Sequence, residues 1–155
     1  MTRDEFTLLI AGEQKQLRRF LLALCCGNRD DAEDLAQETL IKAYLASEKS
    51  TNTEKFTAWL YRIAHNCFID HIRHDKPFAD MDEAKYVVDE QEEASDYTKL
   101  YAALHTLPPK ERTAILLYYI KGYQVKEIAE ILKCSVNAVK KQLSRGREQL
   151  KLKLQ

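Results

Sequence analysis

The chain has 155 residues, 45% of them hydrophobic, and a formal net charge of zero, which suits one larger or two small globular domains. No stretch approaches the roughly 20 apolar residues that cross a bilayer. The polar, acidic start Met1–Phe6 lacks the features of a secretory signal. We therefore expect a cytoplasmic protein without membrane insertion.

The zero net charge conceals three unequal segments. Residues 1–74 carry 10 basic and 11 acidic side chains, residues 75–97 carry 2 and 9, and residues 98–155 carry 12 and 4, which gives −1, −7 and +8. Such segregation predicts separate partners for the parts of the chain. The basic C-terminal segment can neutralise phosphates, whereas the acidic middle segment predicts a flexible, solvated linker.

Apolar residues recur at helical spacing and predict an all-α fold of two small domains joined by this linker. In the first domain, residues 1–74, the helices are expected over 3–26, 31–47 and 54–74. Asp30 and Glu33 predict a capping box for the second helix. Its apolar face is assigned to Leu35, Leu40, Ile41, Tyr44 and Leu45.

In the second domain, residues 98–155, helices are expected over 95–106 and 108–121, the latter opened by two prolines and ended by Gly122. A short helix, a tight turn and a longer basic helix capped by Ser135 then predict a helix-turn-helix, the second helix of which enters the DNA major groove. The alternative is an ordinary amphipathic helix pair with a solvated face. The outer face of the last helix carries Lys140, Lys141, Ser144, Arg145 and Arg147.

The four cysteines, Cys25, Cys26, Cys67 and Cys134, form no Cys-x-x-Cys pair and are expected to be buried, reduced thiols. His71 and His74 near Cys67 suit a surface pair better than a zinc site, which needs four well-placed ligands. We expect neither a metal nor a cofactor.

The third helix places Arg62, Asn66, Asp70 and Arg73 on one continuous stripe. Arginine can contact phosphates and asparagine can contact a base edge. The alternative is a stripe of salt bridges, in which Asp70 pairs with a neighbouring arginine. Trp59 suits core packing better than base stacking because it lies among Phe56, Leu60 and Ile63.

Three blocks in order resemble one family. Residues 31–44 resemble the helix by which bacterial sigma factors bind RNA polymerase, residues 56–73 resemble their promoter-melting helix, and residues 107–112 with the helix-turn-helix resemble their C-terminal domain. The order, spacing and size resemble the extracytoplasmic-function (ECF) sigma factors. Such a protein gives core RNA polymerase promoter specificity by recognising the minus-35 element and melting the minus-10 element, and it performs no catalysis.

The resemblance also implies roles for individual residues. It makes the face of the second helix the contact for core polymerase, with Thr39 standing where the family often has phenylalanine, so that an apolar anchor shifts to Leu35 or Leu40. Simple solvation explains the same charged face equally well. The residues assigned to polymerase binding are Asp31, Asp34, Leu35, Gln37, Glu38, Ile41 and Lys42.

For DNA, the resemblance assigns the minus-10 element to the third-helix stripe and to the preceding loop, in which Ser50, Thr51 and Asn52 receive an unstacked base. It aims Lys140, Lys141 and Ser144 at minus-35 base edges, and Asn137, Arg145 and Arg147 suit phosphates. Ala138 replaces a usual threonine and Gln142 a frequent arginine. An acidic linker in this family threads the RNA exit path of polymerase, and an anti-sigma factor is an expected partner.

Two other classes of function compete with this interpretation. A helix-turn-helix repressor or activator with an N-terminal dimerisation domain predicts a homodimer on palindromic DNA, and it leaves blocks 31–44 and 56–73 unexplained. A small hydrolase using Cys67 or His65 lacks a supporting triad.

Overall fold

The computed structural model describes residues 1–49, 55–75 and 94–155, and these residues form seven α-helices without a strand. The all-α prediction is confirmed. The helices are α1 (Arg3–Leu24), α2 (Arg29–Ser47), α3 (Phe56–Asp75), α4 (Ala94–His105), α5 (Pro109–Tyr119), α6 (Val125–Leu132) and α7 (Val136–Leu154). The predicted loop contacts Ser50, Thr51 and Asn52 and most of the predicted linker lie outside the described residues.

Helices α1, α2 and α3 pack into an N-terminal bundle. Its core is built on large side chains that the helical period places on one face of each helix. Phe20 of α1 and Tyr61 of α3 are fully buried, and their rings meet edge to face with centroids 5.0 Å apart. Trp59 is half-buried and packs against Phe56, in agreement with the core assignment.

Helix α2 packs mainly through small residues, and Leu35 is the one large apolar side chain that it fully buries. Ile41 is 61% exposed and Leu45 60% exposed, so their assignment to a buried face was wrong. Small side chains let α2 lie close to both α1 and α3. The long aliphatic residues Ile41 and Leu45 are left on the solvent side of α2. The buried residues are Ala32, Leu35, Ala36, Thr39, Ala43 and Ser47.

The α1–α2 connection differs from the predicted capping box. Asn28 caps α2 by accepting a hydrogen bond from the Asp31 N–H at 3.1 Å, whereas Glu33 pairs with Arg18 of α1. Gly27 has φ +87°, and a Cβ there would lie 2.7 Å from the ring of Tyr101 in α4. Glycine is therefore required at this position both by the backbone and by the neighbouring ring.

Helices α4 to α7 form a C-terminal bundle, and α4 begins at Ala94, inside the segment predicted as linker. Ser135 caps α7 by accepting from the Ala138 N–H at 3.0 Å, as predicted. The turn between α6 and α7 uses Lys133 in the left-handed conformation, with φ 53°. Gly146 lets α7 cross close to α5, since a Cβ there would lie 2.7 Å from Ile115 Cγ1.

The two bundles pack against each other: α1 contacts α4 and α5, and α3 contacts α6. At their boundary the guanidinium of Arg112 (α5) is buried and donates to the Leu24 carbonyl of α1 at 2.8 Å. It also donates to the carbonyls of Leu104 and Leu107 at 3.0 and 3.1 Å. The Leu24 and Leu104 carbonyls lie at the C-terminal ends of α1 and α4, where partial negative charge compensates a buried cation.

Candidate nucleic-acid and polymerase interfaces

The predicted DNA contacts of α7 form one arc on the side of the helix away from the core. Val139, Leu143 and Gly146 are buried against α5 and α6. At about 100° per residue, Asn137 and Lys141 lie nearest the centre of the opposite side. We call this set the recognition arc, and its six residues are all exposed: Asn137, Lys140, Lys141, Ser144, Arg145 and Arg147.

The two arginines of the recognition arc stand on its opposite flanks. Arg147 lies against the surface of α5, because its guanidinium lies over the rings of Tyr118 and Tyr119 with centroid distances of 5.0 and 5.7 Å. Its Nε also donates to Tyr119 Oη at 2.8 Å. Arg145 instead lines a polar depression with Thr106, Pro108, Glu111, Glu148 and Gln149.

The predicted minus-10 stripe of α3 is also on the surface. Asn66, Asp70 and Arg73 are exposed and Arg62 is half-exposed. Arg62 and Arg73 contribute two positive charges and Asp70 one negative charge, so the stripe has both donors and acceptors for a nucleic acid.

The neighbouring stripe of α3, formed by Tyr61, His65 and Phe68, is buried. His65 Nδ1 lies 2.9 Å from Thr113 Oγ1 of α5, and Thr113 donates its hydroxyl proton to the Pro109 carbonyl at 3.1 Å. The hydroxyl oxygen therefore accepts from an Nδ1–H of His65. Burial, and then the positive charge of Lys110, lowers the pKa of His65 to about 4, so the ring is neutral near pH 7. This hydrogen bond joins α3 to α5 in the interior of the chain.

Five of the seven residues predicted to form the polymerase face of α2 are exposed, and Leu35 and Asp31 are not. Leu35 is 1% exposed and belongs to the core, so it is not a surface anchor. Thr39 is fully buried as well, and its departure from the family pattern changes the core rather than the surface. Asp31 is half-buried and lies 3.5 Å from His71 Nε2 of α3. The exposed members are Asp34, Gln37, Glu38, Ile41 and Lys42.

Ile41 and Leu45 form an exposed aliphatic pair, one turn apart, beside these polar residues. Lys42 Nζ lies 3.0 Å from Glu38 Oε1, and this hydrogen bond raises the pKa of Lys42. Leu45 was assigned to the apolar face and not to the predicted contact residues, because its hydrophobicity alone favours the core. Its spacing of four from Ile41, opposite the run of small residues, is the signal that predicts its exposure.

The cysteines are free thiols, with Cys26 and Cys67 buried and Cys25 and Cys134 half-buried. Burial raises the pKa of the Cys25 thiol, which lowers its reactivity. Across 1–49, 55–75 and 94–155 there is no group of three metal-ligating side chains. Over the same ranges, none of the helices has the length and apolarity needed to cross a membrane.

An exposed basic arc on the second helix of a helix-turn-helix defines a DNA-binding protein, here with a second helical bundle attached. The family described as Sigma-70 region 2 matches residues 9–77, and the family described as Sigma-70, region 4 matches residues 97–150. The ECF RNA polymerase sigma factor SigW of Bacillus subtilis (strain 168) is 34% identical over 152 residues, covering 83% of this chain and 78% of that protein.

Two solved structures are similar over nearly the whole chain. The sigma factor RpoE from Bartonella quintana, in complex with the anti-sigma factor NepR, has a TM-score of 0.80 and 26% identity, covering 97% of this chain and 96% of that one. CnrH in complex with the cytosolic domain of CnrY has a TM-score of 0.74 and 25% identity, covering 99% and 89%. The chain belongs to the ECF sigma factors, which bind core RNA polymerase and direct promoter-specific transcription initiation.

Proposed function

We propose that the recognition arc of α7 binds the minus-35 element, with Lys140, Lys141 and Ser144 at base edges and Asn137 and Arg145 at phosphates. The observation that carries this assignment is the exposure of all these residues on the side of α7 opposite its buried face. Lysine donates to guanine O6 and N7 in the major groove. Arg147 has tyrosine partners and serves mainly to shape the flank of the arc.

We also propose that the α3 stripe binds the melted minus-10 element together with Ser50, Thr51 and Asn52. Asn66 stands at the middle of this stripe and is exposed, so it can offer a donor and an acceptor to an unpaired base. The functional division follows residues 1–74 and 98–155, with 75–97 as the linker.

We propose further that α2 binds core polymerase. The aliphatic pair Ile41–Leu45 supplies apolar area, and the surrounding charged residues set orientation and on-rate. Polymerase performs the phosphodiester chemistry, and this chain acts as a non-catalytic subunit in the cytoplasm. An anti-sigma factor is a further partner, since the similar structures of RpoE and CnrH contain NepR and a domain of CnrY.

Reconstitution with core polymerase tests this function. The purified chain should confer initiation at specific promoters, and Asn66→Ala should impair open-complex formation more than closed-complex binding, because an unpaired base appears only on melting. A pre-melted template should rescue a defect in opening. Tight, specific binding to a palindrome by a free homodimer would instead support a repressor.

A further inference from the structure

Tyr119, the last residue of α5, has a hydroxyl that accepts a hydrogen bond and is still able to donate one. Its Oη accepts from Arg147 Nε at 2.8 Å. A phenol can accept and donate at the same time. Over residues 1–49, 55–75 and 94–155 the Tyr119 hydroxyl makes this one hydrogen bond, so its own hydrogen has no acceptor there. The residue is 60% exposed, and the O–H group is therefore available to a partner from solvent.

The ring that carries this hydroxyl is held in place by its neighbours. The rings of Tyr118 and Tyr119 meet edge to face, with centroids 5.0 Å apart and an interplanar angle of 74°. The guanidinium of Arg147 lies over both rings. A contact made by a side chain that is already ordered costs little conformational entropy. A cation that donates to the phenol oxygen also polarises the O–H group and makes it a stronger donor. Tyr119 is thus a preorganised donor for an anionic acceptor.

The position of this donor follows from the size of α7. An α-helix with its side chains is about 10–12 Å across, and the major groove is about 12 Å wide, so a recognition helix fills the groove from one wall to the other. Side chains at the centre of the recognition arc reach base edges. Arg147 lies about a quarter turn from that centre, where the sugar–phosphate backbone borders the groove. Tyr119 packs against α7 on this flank.

We propose that Tyr119 is a further DNA contact of this chain, and that it donates its hydroxyl hydrogen to a phosphate oxygen on the strand that borders the Arg147 flank. Arg147 is its positioning residue. The inference rests on the proposed binding of α7 to the minus-35 element. Arg145 stands on the other flank, so the two contacts hold α7 between both walls of the groove and fix its register. A neutral donor adds affinity at every sequence without neutralising a phosphate charge.

Tyr119→Phe tests the contact in holoenzyme reconstituted from the full-length chain and core polymerase, because it removes the hydroxyl and keeps the ring. Affinity for promoter DNA should fall by about tenfold, as expected for the loss of a hydrogen bond to a charged group. The loss should be the same for every minus-35 variant, and the slope of log K against log salt should not change, because no charge is removed. Tyr97→Phe, at a position 50% exposed on α4, is the matched control and should bind as the wild type does. Circular dichroism checks that both variants keep their helical content.

Methylphosphonate substitution of the minus-35 DNA, one phosphate at a time, locates the acceptor. Each substitution replaces a charged phosphate oxygen with a methyl group. A direct contact predicts one phosphate at which Tyr119→Phe causes no further loss of affinity, whereas the loss persists at every other phosphate. In an Arg147→Met background the hydroxyl has lost its positioning partner, so the effect of Tyr119→Phe on unmodified DNA should shrink.

Three results would overturn the contact: wild-type affinity of the Tyr119→Phe holoenzyme, a changed salt slope, or an equal effect of Tyr119→Phe at all phosphates. In the last two cases Tyr119 would act only by supporting Arg147. If Lys141→Ala and Arg145→Ala change promoter binding as proposed and Tyr119→Phe does not, this inference alone is wrong. If neither Lys141→Ala nor Arg145→Ala changes promoter binding, the proposed function of α7 fails, and the Tyr119 contact fails with it.

Discussion

Arg147 Nε donates to Tyr119 Oη at 2.8 Å, across the contact between α7 and α5. Together with the cation–π contact to Tyr118, this bond ties the flank of the recognition arc to the surface of α5. An arginine in this position stabilises the fold before it meets any DNA.

Arg147→Ala should therefore lower the free energy of unfolding by about 1–2 kcal/mol, from one hydrogen bond and the cation–π contacts. Tyr119→Phe removes only the acceptor and should cost about 1 kcal/mol or less. Urea denaturation measures both. If Arg147→Ala left stability unchanged and reduced DNA binding at every sequence, Arg147 would act as a phosphate contact.

Alanine substitutions at Lys141 and Arg145 should change DNA binding in different ways when holoenzyme binding is titrated over minus-35 variants at several salt concentrations. Lys141→Ala should relax preference at particular positions and cost about 1–3 kcal/mol there. Arg145→Ala should weaken binding to all sequences and reduce the salt slope by about one unit. The opposite pattern would exchange the two roles, and no effect from either would remove α7 as the recognition helix.

Much of this fold is predictable from local signals. The Ser135 cap, the prolines before α5 and the positions of the core aromatics follow from hydrogen bonding, backbone restriction and helical period. The exposed recognition arc follows from the same period. These features depend on residues within one or two turns of each other.

Features set by tertiary contact were not predictable in this way. Helix α2 buries Ala36 and Ala43 and exposes Ile41, because helix spacing rather than hydrophobicity decides which face fits. Arg112 can be buried because backbone carbonyls of α1 and of the α4–α5 region accept hydrogen bonds from its guanidinium. The pairing of Glu13 with Lys121 spans 108 positions, a distance over which periodicity gives no information.

The aliphatic pair on α2 gives a prediction for polymerase binding. Ile41→Ala and Leu45→Ala should each weaken core polymerase binding by about 1–2 kcal/mol, as expected for apolar anchors at an interface. Both residues are exposed in the free chain, so the free energy of unfolding should change little. Leu8→Ala, at a position 75% exposed on α1, is the matched control and should bind normally. Equal effects at all three positions would argue against a localised docking surface.

The close crossing of α5 and α7 predicts that the effect of Gly146→Ala on stability changes sign when Ile115 is replaced. Gly146→Ala adds a Cβ 2.7 Å from Ile115 Cγ1, and overpacking of about 1–3 kcal/mol should exceed the helix-propensity gain of about 1 kcal/mol. In an Ile115→Ala background the obstructing atoms are gone, so the same substitution should stabilise the chain by up to about 1 kcal/mol. Denaturation of the four chains in the double-mutant cycle measures the coupling. Additive effects would show that the two helices adjust without cost.

His65 gives a pH-dependent prediction. Its folded-state pKa is lowered from 6.5 to about 4, chiefly by burial, so the unfolded chain binds a proton at this site before the folded chain does. Stability from this residue is therefore complete above pH 6.5 and falls as the pH drops towards 4, by about 3 kcal/mol in total. His65→Gln should remove this part of the pH dependence, and His74→Gln, at an exposed position of the same helix, should keep it. Urea denaturation at pH 7, 5.5 and 4.5 compares the three chains, and because their carboxylates titrate alike, the difference between them isolates the histidine. Parallel curves of stability against pH for wild type and His65→Gln would mean that the imidazole is protonated as readily in the folded chain as in the unfolded one. The hydrogen bond to Thr113 would then have to form with a charged imidazolium ring.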